Sequence, residues 1–145
     1  MERFFLKVAV YALLIKDGQI LLLRRFNTGW QDGNYGLPAG HLEKSETLIA
    51  AVMREAKEEV GVILQPENLK IVHTMHRMSE DHNYLDFFFT AGSYEGEPKN
   101  MEPNACDDIK WFPLDKLPSN IVPSVKFALE QYRNGIAFSE QECEK

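Results

Sequence analysis

Only two cysteines, Cys106 and Cys143, occur among the 145 residues, and no cysteine or histidine pair has the spacing of a zinc site. Disulfide staples and a structural zinc are therefore not expected, and both thiols are read as free. Long apolar runs are missing as well. The longest, Val8 to Ile15, is strand-sized and far short of the roughly 20 residues that span a bilayer, which excludes a membrane helix. The opening Met1-Glu-Arg-Phe-Phe-Leu-Lys lacks the basic, apolar and small-residue zones of a secretion signal, so a cytoplasmic location without a membrane partner is expected. Basic residues number 16 against 22 acidic ones, and the formal charge of −6 leaves no footprint for a nucleic-acid polymer. Internal repeats and low-complexity segments are absent too, which removes solenoids from consideration.

What is present suffices for one domain with a core, since 44% of the residues are hydrophobic in a chain of ordinary domain length. An acidic protein can still handle small phosphates if metal ions cancel the repulsion. The question is whether the carboxylates are clustered as ligands or spread as solubilising charge.

Val8 to Ile15, then Asp17-Gly18, then Ile20 to Leu23 predict a hairpin in a sheet covered on both faces. Asn27 to Gly40, with glycines at 29, 33, 36 and 40, reads as a long surface loop of the kind that carries function. Ser45 is the expected cap of a helix from Glu46 to Val60, stopped by Gly61. Strands are expected at Leu69 to Met75, Tyr84 to Ala91 and Ile109 to Phe112, and a last helix at Pro123 to Arg133. One domain is expected over residues 1–138, with 139–145 as a loose polar tail. Strands mixed with two separated helices predict an α/β protein, a mixed sheet packed between helices.

On the first helix, at about 100° per residue, Ile49, Val52, Met53, Ala56 and Val60 share one side, while Glu55, Glu58 and Glu59 share another. Carboxylates one turn apart repel, and a bound hard cation such as Mg²⁺ reverses that sign. Taken alone, the cluster reads first as a solvated acidic face with Arg54 pairing Glu58, since such faces are common.

The wider string from Gly40 to Val62 decides between these. Gly40, five residues, Glu46, seven residues, then Arg54, Glu55, Ala56, Glu58, Glu59, Gly61 and Val62 resemble the signature of the Nudix hydrolase family at every fixed position. Seven fixed residues at roughly 1 in 15 each coincide by chance about once in 10⁸ placements. Looser similarity extends through the opening hairpin, Leu37 to Gly40, and Trp111 to Pro118. The resemblance implies an α/β/α sandwich and Mg²⁺-dependent hydrolysis of a nucleoside diphosphate linked to another group, with Mn²⁺ as a substitute. It implies that Glu55, Glu58 and Glu59 bind metal with the carbonyl of Gly40. It further implies that Arg54 and Glu46 orient helix and loop, and that Gly61 is structural.

Glu55, Glu58, Glu59 and Arg54 are thus the expected catalytic set, with Glu55 or a residue outside the box accepting a proton from water. Glu102 is the first choice for a further acidic ligand, because Met101-Glu102-Pro103 resembles a segment of members acting on nucleoside triphosphates; Asp107 is the second. Arg24 and Arg25 alternate at the end of a strand, so one should face the phosphates, Arg24 slightly preferred. Tyr35, Trp111 and Trp30 are candidates for stacking on a base, and His41 for a hydrogen bond to phosphate or ribose. His73, His76 and His82 are read as structural. The expected substrate is a small nucleotide, a (d)NTP cleaved to (d)NMP and pyrophosphate. ADP-ribose or a nucleotide sugar is the alternative, and a non-catalytic nucleotide-binding regulatory module is the reading from another class. A homodimer is open, since family members of this size often dimerise.

Overall fold

A computed structural model describes residues 2–142. In chain order its elements are β1 (Lys7–Leu13), β2 (Ile15–Lys16), β3 (Gln19–Arg25), β4 (Tyr35–Gly36), β5 (Ala39–His41), α1 (Leu48–Val60), β6 (Ile63–Leu64), β7 (Leu69–Met78), β8 (Asn83–Ala91), β9 (Tyr94–Glu95), β10 (Cys106–Pro113), α2 (Pro123–Arg133) and β11 (Phe138–Glu142). A five-stranded sheet runs in the order β11-β7-β8-β1-β5, and a smaller sheet joins β10, β3 and β2, with β4 on β3. The larger sheet is mixed: β1 is parallel to β8 and β11 to β7, while β1–β5 and β7–β8 are antiparallel. With two helices this is the α/β sandwich the sequence predicts. Among the described residues no helix is long and apolar enough to cross a membrane.

Alternation along the central strands builds two cores. Val10, Ala12 and Phe89 turn to one face, where α1 contributes Ala51, Val52, Ala56 and Val60. Leu13 and Phe88 turn to the other, where α2 contributes Val125, Ala128 and Leu129. Strand β3 divides in the same way, Leu21 and Leu23 against Ile20 and Leu22. Both faces of each strand are covered, so these strands read as unbroken apolar runs. Each fully buried aliphatic side chain is worth about 1.5–3 kcal/mol, and the two cores together fix the sheet between its helices.

Several local expectations are corrected. The run Val8 to Ile15 is not one hairpin strand, because it breaks at Leu14 and enters two sheets. Only Ile15 and Lys16 return on β3, across Asp17-Gly18, both at positive φ. Ser45 does not cap α1. It lies at φ 65, while Thr47 is extended and its Oγ1 accepts the Ala50 N–H at 3.1 Å. Glu46 therefore precedes the helix, and Ile49 is exposed, Ala51 taking its place in the core. Gly61, at φ 73, ends α1 with its N–H on the Lys57 carbonyl, as expected.

Residues 139–142 are not a loose tail. They form most of β11, paired in parallel with β7, and residues 143–145, with Cys143, lie outside the described residues. Buried His73 fastens this strand: Nδ1 lies 2.7 Å from the Ile136 carbonyl and Nε2 2.8 Å from Ser139 Oγ. Cys106 is a buried free thiol, pushed up from its ordinary pKa by burial.

Candidate active site

The catalytic candidates converge where β5 passes α1. Strand β5 pairs with β1, placing Gly40 opposite Val10, and the helix crosses behind it with its acidic side turned to the strand. Gly40 lies directly against the Glu55 carboxylate. Ala39 donates its N–H to Glu59 Oε2 at 2.9 Å. Glu59 lies beside Glu55, near enough for a hydrogen bond between the two carboxyls. Burial first, then this hydrogen bond and the charge of Glu55, hold the Glu59 carboxyl well above the ordinary range.

Arg54 organises the remainder. Its Nε and Nη2 donate to the two oxygens of Glu46 at 2.6 and 3.0 Å, Nη1 reaches Glu55 at 2.5 Å and Glu58 at 3.5 Å, and Nη2 also reaches the His41 carbonyl at 3.2 Å. Glu46 Oε1 in turn accepts the Glu43 N–H at 3.0 Å. One planar guanidinium thus ties loop, strand and helix together, which a lysine's single ammonium could not do. The Arg54 hydrogen bonds hold Glu46 below, and the Glu46 carboxylate holds Arg54 above, their ordinary values.

Glu102 approaches from the loop before β10. That loop hangs on the end of α1: the Lys99 N–H donates to the Val60 carbonyl at 3.0 Å and the Met101 N–H to the Glu59 carbonyl at 3.1 Å. Burial, then the charges of Glu55 and Glu58, raise the Glu102 carboxyl. Four acids therefore feel one another at this place, two on α1's inner side, Glu58 half-exposed, and Glu102 across from them.

Among the described residues no three acidic, imidazole or thiol side chains are drawn together at metal-ligating distance. The donor set itself fits a hard divalent ion. It is all oxygen and crowded with like charge, with Glu59 buried against Glu55.

On the far side of β5 lies a cavity of about 420 Å³, in the range of small-molecule sites. Ala39, Gly40 and His41 line it, so this strand joins the acids to the cavity. Arg25 lines it too, with its guanidinium 4.9 Å from the centre of the Trp30 ring. Arg24 does not: it donates to Asp107 at 2.7 Å and lies over Tyr35. Tyr35 belongs to the second core, its hydroxyl on Asp108 and its ring edge-on to Phe112. Trp111 packs on the first core and borders a separate cavity beside Tyr94.

Sequence reasoning missed much of the cavity wall. Tyr11, Tyr84 and Arg77 line it, as does His82. Arg77 donates from Nε to the fully buried Asp86 at 2.8 Å, with its guanidinium carbon 4.2 Å from the Tyr84 ring centre. The single charged residue inside the apolar stretch 84–89, Asp86, was the available signal, since a buried acid demands a partner. Burial raises the Asp86 carboxyl, and Arg77 opposes this.

Comparison with known proteins adds the following. Residues 5–133 match a family model described as the NUDIX domain. An ADP-ribose pyrophosphatase of Methanocaldococcus jannaschii is 35% identical over 114 residues, covering 77% of this chain and 64% of that protein. The human 8-oxo-dGDP phosphatase NUDT18 is 28% identical over 77% of this chain and 33% of its own length. The chain thus spans under two thirds of these relatives. A MutT NUDIX hydrolase crystal structure from Burkholderia pseudomallei superposes with a TM-score of 0.80 at 29% identity, over 88% of this chain and 98% of that one.

Proposed function

The chain belongs to the Nudix family, and from that premise we propose that it hydrolyses a phosphoanhydride of a nucleoside diphosphate linked to another group, a (d)NTP foremost, giving (d)NMP and pyrophosphate. The observation that carries this is the acid cluster on one side of Ala39 to His41 and the 420 Å³ cavity on the other.

In this reading Glu55, Glu58, Glu59, the Gly40 carbonyl and Glu102 would hold Mg²⁺, or Mn²⁺ in its place. The ion supplies charge neutralisation and a water of lowered pKa. Arg54 keeps Glu55 and Glu58 in position through its bonds to Glu46 and the His41 carbonyl. Glu55, in contact with Gly40 and half of the Glu55–Glu59 pair, is the candidate to take a proton from the attacking water. Arg25 and His41 are the groups at the cavity for the substrate's phosphates or ribose, and Glu102 supports the triphosphate reading through its place beside Glu55 and Glu58. A cytoplasmic location and a homodimer belong to the same proposal.

Hydrolysis of ADP-ribose or a nucleotide sugar is the second reading, favoured by the 35% identity to a protein named ADP-ribose pyrophosphatase. A binding module without catalysis would be expected to lose one of the box glutamates, and all three stand here. Mass spectrometry of products from (d)NTPs, ADP-ribose and nucleotide sugars, with and without Mg²⁺, separates the readings. Pyrophosphate supports the first and paired monophosphates the second. Absence of turnover on the whole panel, or full activity in Glu59→Gln, would overturn the hydrolase assignment.

A further inference from the structure

Resting on the reading of the cavity beside β5 as the substrate's site, we propose that the N-terminus of α2 forms an oxyanion subsite within it. Ser124 supplies a hydroxyl, and the Ser124 and Val125 peptides supply two N–H groups, for a phosphate or carboxylate of the bound ligand.

The first support is a helix start left without a cap. Tyr35 of β4 pairs with the chain before α2: its N–H donates to the Asn120 carbonyl at 2.8 Å, and its carbonyl accepts the Val122 N–H at 2.8 Å. That pairing delivers Val122 to the N-cap position, where its side chain has no acceptor to offer, and Pro123 follows as the first helical residue. The serine that could cap the helix stands two residues too late. The first turn closes with the Lys126 N–H on the Val122 carbonyl at 3.0 Å. Pro123 has no N–H to give, and the N–H groups of Ser124 and Val125 meet no acceptor among the described residues. Helix N-termini leave such donors open, and the helix dipole favours negative charge beside them.

The second support is a buried side chain with nothing to bond. Ser124 is only 9% exposed and lines the cavity with Val122 and Val125, yet its hydroxyl has no hydrogen-bond partner among the described residues. Val125 is buried as well. Buried donors on one helical turn, all unpaired, are costly unless a ligand or water accepts from them. Two N–H groups and a hydroxyl outnumber the two lone pairs of a single carbonyl and match the several of an oxyanion. Nothing on the wall opposes the charge. No carboxylate side chain lines the cavity, and Asp86, buried beneath it, is already paired with Arg77.

The test titrates ¹⁵N-labelled, metal-free protein with inorganic phosphate and, separately, with acetate. The amide protons of Ser124 and Val125 should move downfield along one saturating curve, and the tighter of the two anions tells whether phosphate or carboxylate is the group held. Ser124→Ala, which removes only the hydroxyl, should weaken that anion about tenfold. Ser124→Asp should abolish the shifts, because it sets a fixed negative charge at the same donors, a placement the helix dipole tolerates. The wild-type titration decides even where a variant melts early. In parallel, with Mg²⁺ and the hydrolysed substrate, Ser124→Ala should raise KM about tenfold with kcat changed less than threefold. Amides that stay still, shifts centred elsewhere, or an affinity unchanged in Ser124→Ala would overturn the subsite, and an unmoved KM would overturn its part in substrate binding. The titration needs neither metal nor turnover, so its result stands apart from the hydrolase assignment.

Discussion

Gly40 and Glu55 contend for one volume: a Cβ built on Gly40 would lie no farther than 2.6 Å from Cδ, Oε1 and Oε2 of the Glu55 carboxylate. The glycine is required here by close approach, since its φ lies outside the left-handed region. The strand can press on the helix only where no side chain intervenes.

Gly40→Ala should therefore push the Glu55 carboxylate aside while the fold survives, because the displaced group is the end of a flexible side chain. Overpacking of this kind costs about 1–3 kcal/mol. A shift of about 1 Å at a reacting group costs around a hundredfold in rate. Thermal melts together with kcat will show whether activity falls far more than stability.

Removing the guanidinium tie is a separate matter. Arg54→Lys keeps the charge and loses the bidentate grip on Glu46, and Glu46→Gln weakens the same grip from the other end. Each should weaken divalent-cation affinity by about 10–100-fold. The double variant should be little worse than either single one, because both act on one contact. Isothermal titration with Mn²⁺ checks this, and additive losses would contradict it.

The pH dependence follows from Glu59. Its carboxyl is raised in the fold by burial and by Glu55. In metal-free protein the fold therefore favours the protonated form more than the unfolded chain does. Its stabilising contribution is complete below the ordinary carboxylate pKa and is lost as pH rises through the raised value. Melting temperature in EDTA should fall on going from mildly acidic to alkaline pH, and Glu59→Gln should flatten that slope. Mg²⁺ should stabilise the wild type most at the alkaline end, where no proton has to be displaced.

His73 offers a test of the fold apart from the chemistry. His73→Phe keeps the bulk but deprives the Ile136 carbonyl and Ser139 hydroxyl of their partner, at a cost of about 1–3 kcal/mol. Hydrogen exchange should quicken in β11 with kcat unchanged, as no atom of His73 reaches the catalytic cavity.

The readable parts of the chain were those where local pattern and tertiary need agree. The box helix was legible in its apolar side and in Gly61, and the acids in their spacing, because a helix face is a local property. The division of Val8 to Ile15 between two sheets was not, since both halves are buried and hydropathy does not mark the change of partner. The Ser45 expectation failed because Thr47, two residues on, has the extended backbone a cap needs. Strand β11 is polar at every position after Phe138 and lies at a sheet edge, so its composition passes for a tail, and the histidine that secures it is 66 residues distant from Ser139. In the cavity, Arg77 and Tyr84 come together only through the pairing of β7 with β8, which aligns these two residues.

The loop that presents Glu102 is suspended from the closing carbonyls of α1 by the peptide nitrogens of Lys99 and Met101. Main chain rather than side chain does the holding, so sequence drift at positions 99 and 101 can proceed with the acid kept in place. The one residue barred at either site is proline, which has no hydrogen to give. Variation there can retune the neighbourhood of the fourth carboxylate while its distance from the helix stays anchored.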